Sequence, residues 1–539
     1  MLGGPAGEEF FLSTVEAGET RPLVRFPAGP ARGVRTNDGL CVFRGLPYAE
    51  PPTGERRWKP PVPRADWHDV RDAAAPGFAC IQPPRRAGSI YDGDMPPTGE
   101  DCLSLDIWAP EDASGLPVFV WIHGGSFIWG AGSEPVYDGA ALAQRGMVVV
   151  SINYRLGIFG YLAHPELSAE SPDGVSGNYG LLDQIEALRW VRRNIAAVGG
   201  DPDNVTIAGE SAGAFSVMCL MAAPSARGLF ARAIAQSAYM VSMPSLKEHR
   251  YGEEPAEEKG SQLGRALGAL DIASLRSMEA QDIANHALQA GFLPIPIVDG
   301  HVLPEQLVEA FDHGTQAPVP LLTGFTSGEV RSLRFLMPAL PASAGAYEAE
   351  IHARYGDLAG QCLALYPAGD MEEAALATLR DALYTWTSVK MAKAQQHLGA
   401  ATYIYCFDHA YPAAQAADLH AFHGSEMPYI FGTMDRTPPR WPAIPATAGE
   451  AALSNAMGEY WSSFARTGVP QASGYAGWPA YLPDGKHVTF AEQPHVASGA
   501  LEAAFTFHDD VVRRRMAAGD IPWNWNVGIA APPLPAKVR

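Results

Sequence analysis

Basic residues are scarce relative to acids: 39 Lys and Arg stand against 59 Asp and Glu, a formal charge of −20. No Lys/Arg-rich run interrupts that balance, and a surface of this sign repels a polyanion, which argues against nucleic acid as a partner. Cysteine is sparse too. The six present (Cys41, Cys80, Cys102, Cys219, Cys362 and Cys406) are too few for a disulfide scaffold, and none has the CxxC spacing of a zinc or redox site. No stretch reaches the roughly 18 uninterrupted apolar residues of a membrane span. The opening "MLGGPAGEEFFLSTVEAGE" carries acids where a secretory leader carries basic residues. A cytoplasmic protein is expected, or a secreted one if a leader has been removed. Repeats, charge blocks and low-complexity linkers are also missing, so nothing cuts the chain into independent domains.

What is present is ordinary folded-protein composition, 47% hydrophobic and 18% charged, in a regular pattern between residues 117 and 240. "PVFVWIHGG" and "GMVVVSINYR" read as short buried strands. "GLLDQIEALRWVRRNIAAVGG" places Leu181, Ile185, Leu188, Val191 and Ile195 at helical spacing, with Arg and Glu on the other face. "VTIAG" (strand), "SAGAFSVMCLMAA" (helix) and "ARAIAQS" (strand) follow, and "VPLLTGF" and "ATYIYCFD" continue the sheet. Strands alternating with helices imply an α/β fold: a large, mostly parallel sheet covered by helices on both faces. Residues of about 245–316 and 336–400 are expected as helical insertions at the strand ends. The resulting division is an extension at 1–21, one domain at 22–520 and a tail at 521–539, whose last residues, "APPLPAKVR", read as frayed. "EPPTGERRWKPPVP" and "RTPPRWPAIPA" read as surface loops.

The chemistry begins at Gly209-Glu210-Ser211-Ala212-Gly213, a GxSxG pattern placed between a strand and a helix. A turn this sharp strains the serine backbone and leaves no room for side chains two positions away, hence the glycines. Ser211 then stands at a helix N-terminus, where main-chain N–H groups favour an anion. A serine hydroxyl still needs a base to take its proton and a third group to orient that base. "WIHGGSFIWG" supplies a glycine turn after the first buried strand. The N–H groups of Gly125 and Ser126, with that of Ala212, form a candidate oxyanion hole, each donor contributing about 3 kcal/mol.

"FRGLPYAEPPTGERRWKPP", "GEDCLSLDIWAP", "WIHGGSFIWGAG", "NYRLGIFGYL", "GNYGLLDQIEALRWVRRNIAAVGGDPDNVTIAGESAGA" and "FHGSEMPYIFG" occur in this order. On these motifs the chain resembles the type-B carboxylesterases, the cholinesterase-like branch of the α/β-hydrolase fold, from about residue 22 to 510. It looks closest to the bacterial p-nitrobenzyl-esterase-like members. The resemblance implies an ester hydrolase with an acyl-enzyme intermediate, no cofactor and no metal. It would act on a small-molecule ester as a monomer or homodimer, with neither nucleic acid nor membrane as partner. It carries the nucleophile onto Ser211, the base onto His423 and the acid onto Glu329, where Val330 replaces the family's usual glycine. Ser, acid, His is the chain order this fold requires.

Other readings of the same residues stay open at this stage. Asp408 is the substitute acid. His123 is expected to orient backbone in the glycine turn. His420 and His423 form an HxxH pair, but no nearby Cys or carboxylate cluster completes a tetrahedral metal site. Glu210, beside the nucleophile, either braces the histidine loop or stabilises the imidazolium. The resemblance also implies a possible Cys80–Cys102 disulfide and two buried ion pairs, Arg57–Glu100 and Arg155–Asp183, acting as loop locks. Trp129, Phe127, Phe292, Phe335 and Leu336 are candidate pocket walls, each equally readable as core packing. The loop between Cys80 and Cys102 lacks the tryptophan that cholinesterases present to a quaternary ammonium, which speaks against choline esters and leaves only Tyr91 as a π face. A non-catalytic scaffold on the same fold, or a lipase or xenobiotic-ester specialist, are the alternatives.

Overall fold

Apolar runs that end in glycine become the middle of one eleven-stranded sheet in a computed structural model of the chain, which describes residues 21–524 and 527–536. In chain order the strands are β1 (Val34–Arg35), β2 (Leu40–Pro47), β3 (Ser104–Pro110), β4 (Leu116–Ile122), β5 (Val148–Ile152) and β6 (Gly200–Glu210). They continue with β7 (Arg232–Gln236), β8 (Leu321–Thr326), β9 (Thr402–Phe407), β10 (Lys486–Phe490) and β11 (Pro494–Ser498). Across the sheet the order is β11-β10-β9-β8-β7-β6-β4-β5-β3-β2-β1. The seven strands from β10 to β5 run parallel, and antiparallel strands close both edges. This is the α/β-hydrolase architecture.

Side chains along β4 alternate between two cores, because successive residues of a strand point to opposite faces. Val118, Val120 and Ile122 join Val150, Ile207, Leu181, Ile185, Phe215 and Met218 on one face. Phe119 and Trp121 join Val149, Ala208, Met457, Trp461 and Phe464 on the other. Each such side chain contributes about 1.5–3 kcal/mol on burial, so a one-residue slip of β4 would reverse both faces at once. Helix α1 (Tyr179–Asn194) buries its predicted stripe of Leu181, Ile185, Leu188 and Val191. Its polar side is less open than the pattern implied. Asp183 and Gln184 are fully buried, one gripped by Arg155 through two 2.7 Å bonds, the other donating to Ser216 Oγ at 3.0 Å. Helix α2 (Ala212–Ala222) is buried along its whole length, which explains why it carries no charge.

Helices occupy much of both insertions: Ala256–Ala266, Ile272–Ser277, Ala280–Gln289 and Leu307–His313 in the first, Ala344–Tyr355, Ala359–Leu365, Met371–Arg380 and Trp386–His397 in the second. Two readings need correction. The Pro-rich loops are not wholly superficial, since each drives a tryptophan inward. Trp58 donates to Ile158 O at 2.9 Å, and Trp441 meets the Phe422 ring at 4.7 Å. The closing "APPLPAKVR" is not frayed over its described part, where Ala531 is buried, and the residues before it are anchored as well. Trp523 is fully buried beside Trp386, Asn524 Nδ2 donates to Met240 O and Ala382 O, and Leu534 N–H donates to Arg354 O. Burial of a large ring and satisfaction of two inner carbonyls outweigh the proline content there. Residues 1–20 of the proposed extension and 537–539 of the tail lie outside the described residues. Among the described residues, no helix is long and apolar enough to cross a membrane.

Candidate active site

Strand β6 ends at Glu210 and α2 starts at Ala212, leaving Ser211 alone on the bend with φ 57° and ψ −121°. That is a conformation L-residues rarely adopt, at a cost of about 1–3 kcal/mol. The neighbours enforce it. A Cβ on Gly213 would lie 2.0 Å from Ile122 O, and one on Gly209 would lie 2.4 Å from the Gly213 carbonyl carbon. Ser211 N–H donates to Gln236 O at 2.9 Å, pinning the bend to the end of β7.

Immediately beyond β4, the turn from His123 to Gly130 approaches the same point. A Cβ on Gly124 would come within 3.2 Å of Ser211 Cβ. Gly125, Ser126 and Phe127 all have positive φ, and Gly125 O accepts from the N–H groups of Ile128 and Trp129. Among the described residues no acceptor meets the N–H of Gly125 or Ser126. The Ala212 N–H, first in its helix, has no partner within it. His123 Nδ1 lies 2.9 Å from Gly124 O, its ring stacks on Tyr154, and burial pushes its pKa down to about 4. It is a neutral brace for the turn.

The loops after β8 and β9 supply the ionisable groups. His423 Nδ1 is hydrogen-bonded to Glu329 Oε2, and Glu329 Oε1 accepts the Thr326 N–H at 2.9 Å. Gly328 N–H donates to Ala421 O at 2.8 Å, joining the two loops through backbone as well. Val330, where the family pattern favours glycine, needs no unusual backbone (φ −86°) and is buried among Leu376, Leu379 and Ala382. Asp408 is exposed and hydrogen-bonded to Ser327 Oγ, so it does not reach His423 as the substitute acid would. His420 faces Asp418 Oδ1 at 3.5 Å.

His423 Nε2 lies 3.1 Å from Glu210 Oε1, the carboxylate preceding Ser211, while Ser211 Oγ has no hydrogen-bond partner among the described residues. Apo sites often hold such bonds loosely until substrate arrives. Burial alone would lower the His423 pKa, but Glu210 and then Glu329 outweigh it and push it up to about 9. Burial pushes Glu210 up to about 7 and Glu426 up to about 8. Glu426 is a buried acid that sequence reading left inside the "FHGSEMPYIFG" motif without a role, and it accepts from Tyr405 OH at 3.1 Å. Tyr384, whose ring lies 5.6 Å from that of His423, carried no sequence signal at all, because its helix is a π-helical turn (Asp381–Thr385).

The expected pocket walls scatter. Trp129 is half-buried and donates to Pro83 O at 3.0 Å; Leu336 is half-buried. Phe127 is a core ring between Tyr161 and Phe215, and Phe292 packs on the cluster of Trp58 and Phe159. Phe335 is 71% exposed, since no helix of the insertion covers it. Cys80 and Cys102 are buried free thiols, and the hydrogen bond from its partner together with burial raises the Cys102 pKa. Both ion pairs form, at 2.7 Å each.

A model of the carboxylesterase family matches residues 20–507. The chain is 38% identical over 474 residues to the para-nitrobenzyl esterase of Bacillus subtilis (strain 168), spanning 86% of this chain and 93% of that one. It is 36% identical over 492 residues to the fumonisin B1 esterase of Sphingopyxis macrogoltabida, spanning 88% and 86%. A solved PNB esterase superposes with a TM-score of 0.78 at 34% identity, over 90% of this chain and 99% of that one.

Proposed function

The chain belongs to the carboxylesterase family and hydrolyses carboxylic esters, and from that premise we propose that Ser211 is its nucleophile, His423 its general base and Glu329 the acid that orients the base. Ser211 Oγ attacks the ester carbonyl as His423 Nε2 takes its proton. The N–H groups of Gly125, Ser126 and Ala212 receive the charge that develops on the carbonyl oxygen. His423 returns the proton to the leaving alcohol, then activates the water that releases the acid. Through its Nδ1 bond, Glu329 keeps the proton off Nε2 and stabilises the imidazolium. With this activity the scaffold alternative falls away.

One observation carries the assignment: the imidazole held between two buried carboxylates, Nδ1 on Glu329 and Nε2 turned to the residue before Ser211. Incubation with a fluorophosphonate followed by peptide mapping is expected to place a single adduct on Ser211. Adduct on another serine, or none, overturns the nucleophile.

Three carboxylates, Glu210, Glu329 and Glu426, gather around one imidazole, which disfavours an additional negative charge on the substrate. Small uncharged esters are therefore the substrates we assign. Action in the cytoplasm, as a monomer or homodimer, and the treatment of residues 22–520 as one domain belong to the same proposal and rest on the sequence.

The reaction needs a neutral imidazole, so kcat/KM should rise with pH, with an apparent pKa above that of an ordinary histidine. Glu210 favours the protonated ring; removing its charge lowers the His423 pKa. Glu210→Gln is thus expected to move the acid limb of the profile down by about one pH unit or more. It should also reduce kcat about tenfold, because the imidazolium formed in the transition state loses a partner. A pH–rate profile of the two proteins checks both signs; an upward or absent shift contradicts the role of Glu210.

A further inference from the structure

The loop between Cys80 and Cys102 is pinned at its base, where Ala79–Cys80 pairs with Thr98–Gly99. Beyond that pairing its anchors fall on the active site. Gln82 Oε1 accepts the Gly130 N–H at 2.9 Å and Pro83 O accepts from Trp129 Nε1, so one end of the loop grips the turn that carries Gly125 and Ser126. At its middle Tyr91 OH lies 2.9 Å from His423 O and 2.7 Å from Ser332 Oγ. A carbonyl only accepts, so the phenol hydrogen belongs to His423 O, and the Ser332 hydroxyl can supply the second bond. Burial keeps the phenol protonated and hence a donor. The ring is fixed by Trp441, edge-on at 5.8 Å, and Trp441 in turn packs on Phe422, the residue before His423.

We infer that Tyr91 is a positioning residue for His423: its hydroxyl ties the backbone of the base to Ser332, three residues beyond Glu329, and so sets the imidazole relative to Ser211. The inference rests on His423 being the general base. The tie is independent of the Glu329 side chain, because it acts on the histidine carbonyl and not on the ring. It also makes one loop touch both halves of the site, the oxyanion turn through Gln82 and Pro83 and the base through Tyr91. Without the Tyr91 tie the loop would reach only the oxyanion turn, through Gln82 and Pro83.

Tyr91→Phe removes one oxygen and leaves the ring on Trp441. With a p-nitrophenyl ester, kcat is expected to fall about tenfold, the worth of one well-aligned hydrogen bond, with KM within about twofold of wild type. The rate of fluorophosphonate labelling should fall by the same factor. Ser332→Ala, which removes the other half of the bridge and keeps Tyr91, should give a smaller fall of the same kind and stands in if Tyr91→Phe folds poorly by circular dichroism. Unchanged kcat in the folded variants overturns the inference, as does a raised KM at constant kcat, which would make Tyr91 a substrate contact. Wild type and Ser211→Ala run alongside test the hydrolase assignment separately: if both show the same activity, the nucleophile assignment fails whatever Tyr91 does.

Discussion

Ser211→Ala is expected to lower kcat/KM for p-nitrophenyl esters by about five to six orders of magnitude, the loss seen when a triad nucleophile is removed. The loss comes from one atom. The backbone bend at φ 57° is held by the contacts of Gly209 and Gly213 and by the bond to Gln236 O, none of which involves the hydroxyl. The fold should therefore survive, and circular dichroism of the variant should match wild type. A residual rate about 10³–10⁴ above the uncatalysed reaction is expected from substrate binding and the oxyanion amides alone. Steady-state assays on protein from a host lacking other esterases check this. Activity within a hundredfold of wild type would remove Ser211 from the mechanism.

Glu329→Gln should cost about 10³–10⁴ in kcat, although it changes the side chain hardly at all in shape. The glutamine oxygen can still accept the Thr326 N–H, so the loop stays in place. Its amide, however, can donate to His423 Nδ1. That forces the ring proton onto Nε2, the nitrogen that must accept from Ser211. Loss of the negative charge also lowers the His423 pKa, so the variant should not regain activity at high pH. Asp408→Asn is the companion measurement. Asp408 is exposed and bound to Ser327, and its substitution should change kcat less than threefold. If the two effects were exchanged, Asp408 would be the acid after all.

Local signals and family motifs made the centre of this molecule legible before any coordinates. Strands β4, β6 and β8 announce themselves as apolar runs with a glycine near their ends, β5, β7 and β9 as apolar runs alone, and the bend at Ser211 by glycines that neighbouring carbonyls leave no room to replace. Glu329 was legible only through the family pattern, and Val330 blurred it, because a glycine there is a habit and not a backbone requirement at φ −86°. What stayed hidden depends on contacts between distant segments. Nothing around Tyr91 in the chain points to a carbonyl 332 residues away. Nothing in "RTPPRWPAIPA" reveals that Trp441 turns inward, and nothing in the tail reveals that Asn524 answers carbonyls at 240 and 382. Pocket aromatics failed for the opposite reason: hydrophobicity says that a ring will be covered, not by what, so Phe127 went to the core and Phe335 to solvent.

The parallel order of β6, β7, β8 and β9 has a consequence for the chain as it is made. The hydroxyl follows β6, the carboxylate follows β8, and the imidazole follows β9, more than two hundred residues after the hydroxyl. A growing polypeptide therefore holds its reactive serine long before it holds anything able to switch it on. Ester turnover should be among the last properties gained during synthesis, and so a late clock for completion of the molecule.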